Sequence, residues 1–255
     1  MGTTRENGSL YVKTEGNVAS IEFGHPSGNS FVSEMLERLA RAIDALSSNS
    51  DVKVIILRSE GERAFCGGAS LTELSKIETA EEGKYFFGGF AHVLNAMRRC
   101  SKIIIGRVQG KAVGGGVGLI SACDYVFATE NASVKLSELA ICIAPLVIEP
   151  AVSRRIGIAG FSELTLSPHE WRNAYWARDK GLFTKVFDKV VDLDKELDHY
   201  TSKLTSYNSE ALQNVKRVLW QETDHWEDLM DERAAMSGRL ALMPETKERL
   251  SKLMN

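Results

Sequence analysis

Between residues 9 and 24 the chain alternates with a period of two. Leu10, Tyr11 and Val12 are strand formers, Glu15-Gly16-Asn17 turns the chain, and Ala19, Ile21 and Phe23 alternate with Ser20 and Glu22. This pattern predicts a hairpin with one buried face. After the breaker cluster His25-Pro26-Ser27-Gly28-Asn29 the period changes: Leu36, Leu39, Ile43 and Leu46 recur at three and four and share one face of a helix. Val54-Ile55-Ile56-Leu57 is an unbroken apolar run, as expected of a strand covered on both sides. The theme returns with a helix over 86–97, a strand at Ile103-Ile104-Ile105, a short helix over 115–122 and a strand over 125–128. Strand and helix in alternation predict an α/β fold. Past about residue 195 the strand signals stop. Leu204, Leu212, Val215, Leu219, Met230 and Leu240 there suggest amphipathic helices with charged outer faces. The expected organisation is a core over 1–195 and a C-terminal helical region over 196–255.

Composition adds mainly exclusions. With 44% apolar and 25% charged residues the chain falls in the ordinary globular range. Its 31 basic and 34 acidic residues give a formal charge of -3 and are spread in short mixed stretches, so no basic stripe predicts a nucleic-acid partner. The start of the chain has no apolar stretch suited to a signal peptide, and no later run is long enough for a membrane span. A cytoplasmic protein with no membrane partner is expected. Gly2 follows Met1, but Arg5, Glu6 and Asn7 leave the myristoylation pattern unfilled. Cys66, Cys100, Cys123 and Cys142 have no CxxC spacing and read as small buried hydrophobes. The five histidines are too dispersed for an HExxH pair, so no metal site is predicted.

Two glycine-rich segments carry the candidate chemistry, Ala64-Phe65-Cys66-Gly67-Gly68-Ala69-Ser70-Leu71 and Gly110-Lys111-Ala112-Val113-Gly114-Gly115-Gly116-Val117-Gly118. Each follows a buried strand and ends where a helix should begin. In the first, Ser70 and Glu73 have the spacing of a capping box. Free N–H groups at two helix starts could converge on one oxygen. Tight turns or close helix packing would produce the same glycines. Neither segment fits a dinucleotide fingerprint, because Leu119 holds the third glycine position, nor a Walker A loop, because Ala112 follows Lys111.

Taken in this order, about fifty residues apart and with CDYVFA after the second, the two segments resemble those of the crotonase superfamily of enoyl-CoA hydratases and isomerases. The resemblance runs from about Gly24 to Asp188 and is strongest from Ala64 to Gly157. It implies a spiral of stacked ββα units followed by helices that mediate assembly into homotrimers or dimers of trimers. It also implies an acyl-CoA substrate and no cofactor beyond the coenzyme A that the substrate carries. Carried over by position, the amides of Ala69 and Gly115 would polarise the thioester carbonyl. The backbone of Cys66, Gly67, Gly68, Ala69, Ser70 and Leu71 would follow the pantetheine arm.

Lys135-Leu136-Ser137-Glu138-Leu139, followed by Ile143-Ala144-Pro145, matches the stretch that carries the family's acid/base glutamate, which makes Glu138 the catalytic candidate. A strand-end glutamate could equally be a cap or an ion-pair partner. Leu136, Leu139 and Ile143 are expected to shield it, and Phe86, Phe87, Phe90 and Ile148 are candidates for the acyl-pocket wall. Three positions depart from the pattern. Ser70 replaces the usual Asp. Cys142 replaces a usual glycine and is expected to narrow the pocket floor. Gly118 stands where hydratases with two acidic residues carry a second Glu, for which Glu149 is a weak substitute. Residues 138–157 look most like the methylglutaconyl-CoA hydratase subgroup, which tends to share that glycine, and this tilts the expectation to a hydratase. A double-bond isomerase using the same Glu, and a non-catalytic acyl-CoA-binding or scaffold member, are the alternatives.

Overall fold

The structure is a computed structural model and describes residues 8–254; the N-terminal reading of Gly2, Arg5, Glu6 and Asn7 lies outside the described residues. The hairpin forms as β1 (Ser9–Glu15) and β2 (Val18–Gly24), paired antiparallel. To it are added β3 (Val54–Ser59), β5 (Ile103–Val108), β7 (Tyr125–Thr129) and β10 (Lys185–Phe187), all parallel, giving a six-stranded sheet in the order β1-β2-β3-β5-β7-β10. The apolar runs are unbroken because both faces of this sheet are covered. Ile55, Leu57, Ile104 and Val126 point into the main core, while Val54, Ile56, Ile103, Ile105 and Phe127 meet Leu193 and Leu197. Those two leucines belong to α7 (Val190–Ser206).

A second sheet was not visible as strands in the hydropathy pattern. Its members are β4 (Ala64–Cys66), β6 (Lys111–Val113), β8 (Ser133–Lys135) and the two-residue β9 (Arg172–Asn173), in that order. The first three strands are only three residues long, too short for alternation to register. Each follows a long strand: β3 leads to β4, β5 to β6 and β7 to β8. Helices then return the chain to the next turn: α2 (Leu71–Ser75) and α3 (Ala80–Arg99), then α4 (Gly115–Ser121), then α5 (Glu149–Leu166). The stacked ββα spiral is thus present, and it sets the two glycine-rich segments side by side.

Helix boundaries follow from caps. α1 (Ser33–Ser48) buries Met35, Leu36, Leu39, Ile43 and Leu46 as the spacing predicts. Its first turn is capped from outside: the Glu73 carboxylate accepts from Ser33 N at 2.8 Å and from Ser33 Oγ at 3.0 Å. The expected Ser70–Glu73 box is therefore half made. Ser70 Oγ accepts from Glu73 N at 3.2 Å, but the Glu73 side chain is engaged elsewhere, and Ser70 N donates to Phe31 O. A reciprocal box does form at Thr79–Glu82 and starts α3 six residues before its apolar pattern does.

Beyond α6 (Ala174–Asp179) and β10, the C-terminal helices are α7, α8 (Ser209–Leu219), α9 (Trp226–Ala241) and α10 (Pro244–Met254). Residue 195 lies inside α7, and Trp220, Trp226, Met230 and Ala234 join the same core as β2 and β3. No helix among the described residues is long and apolar enough to cross a membrane.

Candidate active site

The first glycine segment leaves β4 and is held to the chain before α1. Gly67 N donates to Gly28 O at 2.9 Å, Phe31 N to Gly68 O at 2.8 Å, and Ser70 N to Phe31 O at 2.8 Å. Because Phe31 is served by the residues on either side of Ala69, the Ala69 amide faces the other way, and it donates to no acceptor among the described residues. Gly68 has φ +87, and a Cβ there would lie 3.0 Å from Val113 O, so a glycine is required for the two segments to touch.

The second segment leaves β6. Gly114 N donates to Lys135 O at 3.0 Å, which fastens it to β8, and the chain then enters α4 with Gly114 at φ 53, ψ -118. Gly115 is the first residue of that helix, so its N–H has no partner in a preceding turn and finds none elsewhere among the described residues. Two unpaired amides from separate ββα units thus border one cleft, together with Glu138.

Glu138 opens a 3-10 turn (Glu138–Ile141) just past β8. Its carboxylate lies against the second glycine segment: a Cβ on Gly114 would be 2.8 Å from Glu138 Oε1. The residue is half-buried as a whole, yet Oε2 is sealed from solvent and has no hydrogen-bond partner. Burial pushes its carboxyl up to about 7, against the opposing pull of the Glu138 and Ser137 amides. Of the three side chains expected to shield it, Leu136 and Ile143 are buried, whereas Leu139 is 39% exposed.

The cleft is lined mainly by apolar side chains with a few polar groups, as small-molecule sites are. Phe86, Phe87, Phe90 and Ile148, the wall candidates, all line it. So do Gly67, Gly68, Ala69, Leu71 and Gly115, whereas Cys66 and Ser70 do not. The Cys66 side chain is fully buried and packs on Gly116, with its Sγ accepting from Gly68 N, while the Ser70 hydroxyl is spent on capping α2. Burial also pushes the Cys66 thiol up to about 12.

One expectation changes here, and two further positions are explained. Cys142 does not line the cleft; it ends the 3-10 turn at φ 60, a left-handed conformation that accounts for a glycine being usual at this point. Glu149 does not reach the cleft, because its carboxylate is paired with Arg233 of α9. The space beside Gly118 is not vacant: a Cβ there would be 2.6 Å from Ile148 Cγ2. Glu138 is therefore the one ionisable side chain among the described residues that line the cleft.

Two features had no sequence signal. A cationic hollow adjoins the cleft, sharing Leu71, Ser137 and Ile141 with it and bordered by Lys135, His169, Arg249 and Lys252. Its bases come from β8, the segment before β9, and α10, which only the tertiary structure brings together. Asp124, in the CDYVFA stretch, accepts from Ile104 N at 2.7 Å, Trp220 Nε1 at 2.7 Å and Lys216 Nζ at 2.8 Å, and so ties α8 to the sheet.

A spiral of ββα turns with two free amides and one half-buried glutamate defines a class, and comparison with known proteins agrees on the fold. A family model described as enoyl-CoA hydratase/isomerase matches residues 13–249. The chain belongs to this family and is an enzyme of that kind. Among curated relatives, the peroxisomal Delta(3,5)-Delta(2,4)-dienoyl-CoA isomerase of Arabidopsis thaliana is 30% identical over 220 residues, which span 81% of this chain and 78% of that one. The mitochondrial methylglutaconyl-CoA hydratase of Rattus norvegicus is 37% identical over 167 residues, spanning 65% of this chain and 52% of the relative. In fold, an enoyl-CoA hydratase crystal structure from Bacillus halodurans matches with a TM-score of 0.88 at 20% identity, covering 95% of this chain and 99% of that one.

Proposed function

We propose that the protein is an enoyl-CoA hydratase, adding water across the 2,3 double bond of an acyl-CoA thioester. The observation that carries the reading is Glu138, a sealed carboxylate facing a cleft that is otherwise apolar apart from two serines and is bordered by the unpaired amides of Ala69 and Gly115. In this reading the thioester oxygen sits between those two N–H groups, which strengthen their hold as the carbonyl becomes an enolate. Each donor is worth about 3 kcal/mol to such a transition state. Glu138 takes a proton from water as the water oxygen bonds to C3, and the same proton is then delivered to C2, so that one carboxylate serves as base and then as acid. A raised carboxyl suits this double role, since both protonation states are populated near neutrality. The bases of the adjoining hollow would meet the phosphates of coenzyme A, and Leu71, shared by both cavities, would mark the path of the pantetheine arm. Assembly as a homotrimer or dimer of trimers completes the reading.

A second reading, isomerisation of a 3-enoyl thioester, is favoured by one observation: Ile148 occupies the space beside Gly118, so no second carboxylate stands ready to hold water. Glu138 would then remove a proton from C2 and return it at C4. Turnover of crotonyl-CoA and of a 3-enoyl-CoA, measured side by side, separates the two. The hydratase predicts hydration of crotonyl-CoA and its loss in Glu138→Gln. Activity confined to the 3-enoyl substrate would replace it with the isomerase. Turnover unaffected by the substitution would remove Glu138 from the chemistry, and binding without turnover of either substrate would leave only a binding role for the cleft.

A further inference from the structure

Ser237 lies in α9, is 1% exposed and borders the cleft, yet its hydroxyl has no hydrogen-bond partner among the described residues. Other helical hydroxyls in the chain bond back to the preceding turn, as Ser121 does to Val117 O at 2.8 Å and Thr201 to Leu197 O at 2.9 Å. Ser153 and Thr165 of α5 also lack partners, but neither borders the cleft. What brings Ser237 there is the crossing of α9 over α3. A Cβ on Gly83 would lie 2.6 Å from Gly238 Cα, so the two helices touch backbone to backbone. That contact sets residue 237 on the cleft that Phe86, Phe87 and Phe90 also line. An unpaired hydroxyl buried there is unfavourable, and alanine would fill the place without that cost.

We propose that Ser237 determines specificity: its hydroxyl hydrogen-bonds an uncharged oxygen function, a hydroxyl or a carbonyl, carried by the acyl group of the substrate. The inference rests on the acyl-CoA reading above. It names an uncharged group because, among the described residues, no Lys, Arg or His lines the cleft. A carboxylate on the acyl chain would meet no counter-charge there and would be repelled by ionised Glu138. A buried group left unpaired by a plain hydrocarbon chain discriminates against that chain, which is how polar sites reject substrates that lack the matching oxygen.

The test compares crotonyl-CoA with its 4-hydroxy and 4-carboxy derivatives on the full-length wild type, Ser237→Ala and Ser237→Cys. The wild type should prefer the 4-hydroxy substrate over crotonyl-CoA in kcat/KM, and Ser237→Ala should lower that ratio about tenfold. Ser237→Cys, a weaker donor, should fall between. The thermal midpoint of unliganded Ser237→Ala should not drop, since no hydrogen bond within the protein is lost. An unchanged ratio, an equal loss on all three substrates, a lower midpoint, or a preference for the 4-carboxy compound would each overturn the proposal. If the wild type neither binds nor turns over any of the three, the acyl-CoA reading fails and takes this inference with it.

Discussion

A carboxyl pushed up to about 7 by burial links Glu138 to both stability and rate. The folded protein holds this proton more tightly than the unfolded chain, whose glutamate ionises near the ordinary 4.5. The stabilisation is therefore complete below that value and is lost as pH rises through about 7. Denaturation across this window should show stability declining from this source, and Glu138→Gln should remove that part of the slope. In the wild type, kcat/KM should rise with the ionised fraction of the same group, since the base form starts the reaction. A slope that survives in Glu138→Gln would mean that another residue titrates there. At this scale the sequence was readable where a motif carried the residue. Glu138, Ala69 and Gly115 stood in such patterns, whereas Ser237 did not, because a lone serine in an amphipathic helix looks like any other surface position until the helix is docked.

Between elements, the contact of α4 with the start of α5 decides what the cleft can hold. Gly118 reads in the sequence as a carboxylate that is missing. In the fold it is a residue without room, since Ile148 fills the adjoining space. Gly118→Ala gains helix propensity, worth up to about 1 kcal/mol. The clash with Ile148 opposes this gain with an overpacking cost of about 1–3 kcal/mol. The substitution should therefore destabilise the wild type but stabilise an Ile148→Ala background, where the space has been opened. A double-mutant cycle by urea denaturation measures this coupling, and additivity of the two changes would show that the side chains do not meet. The apolar periods placed α1, β3 and β5 correctly because long buried elements leave long patterns. They could not show β4, β6 and β8, since three residues are too few to alternate and a parallel pairing is set by the partner strand.

Across the whole molecule, the C-terminal helices divide their duties unequally. α9 is packed into the body through Trp226, Met230 and Ala234, and Lys216 of α8 is buried against Asp124. Such a pair is weak evidence for stability, yet losing one member would strand the other charge. The remainder of α8 turns apolar side chains outward, with Val215, Val218 and Leu219 at 52%, 61% and 41% exposure. An exposed apolar face of this kind is what the proposed assembly would cover. Light scattering at micromolar concentration should give at least three times the chain mass, and Val218→Glu should shift it toward one. A monomeric wild type would refute the assembly.

The sequence by itself determined the family, the long strands and helices, and the candidates for the groups that do chemistry, because periodicity and local motifs are properties of neighbouring residues. Only the tertiary structure decided that Glu138 stands against Gly114, that Ile148 closes the place beside Gly118, that Glu149 is tied to Arg233, and that α9 carries an unpaired hydroxyl to the cleft. These facts depend on how separate turns of the spiral meet. Such meetings are fixed by close approach between backbones, which glycine permits without specifying its partner.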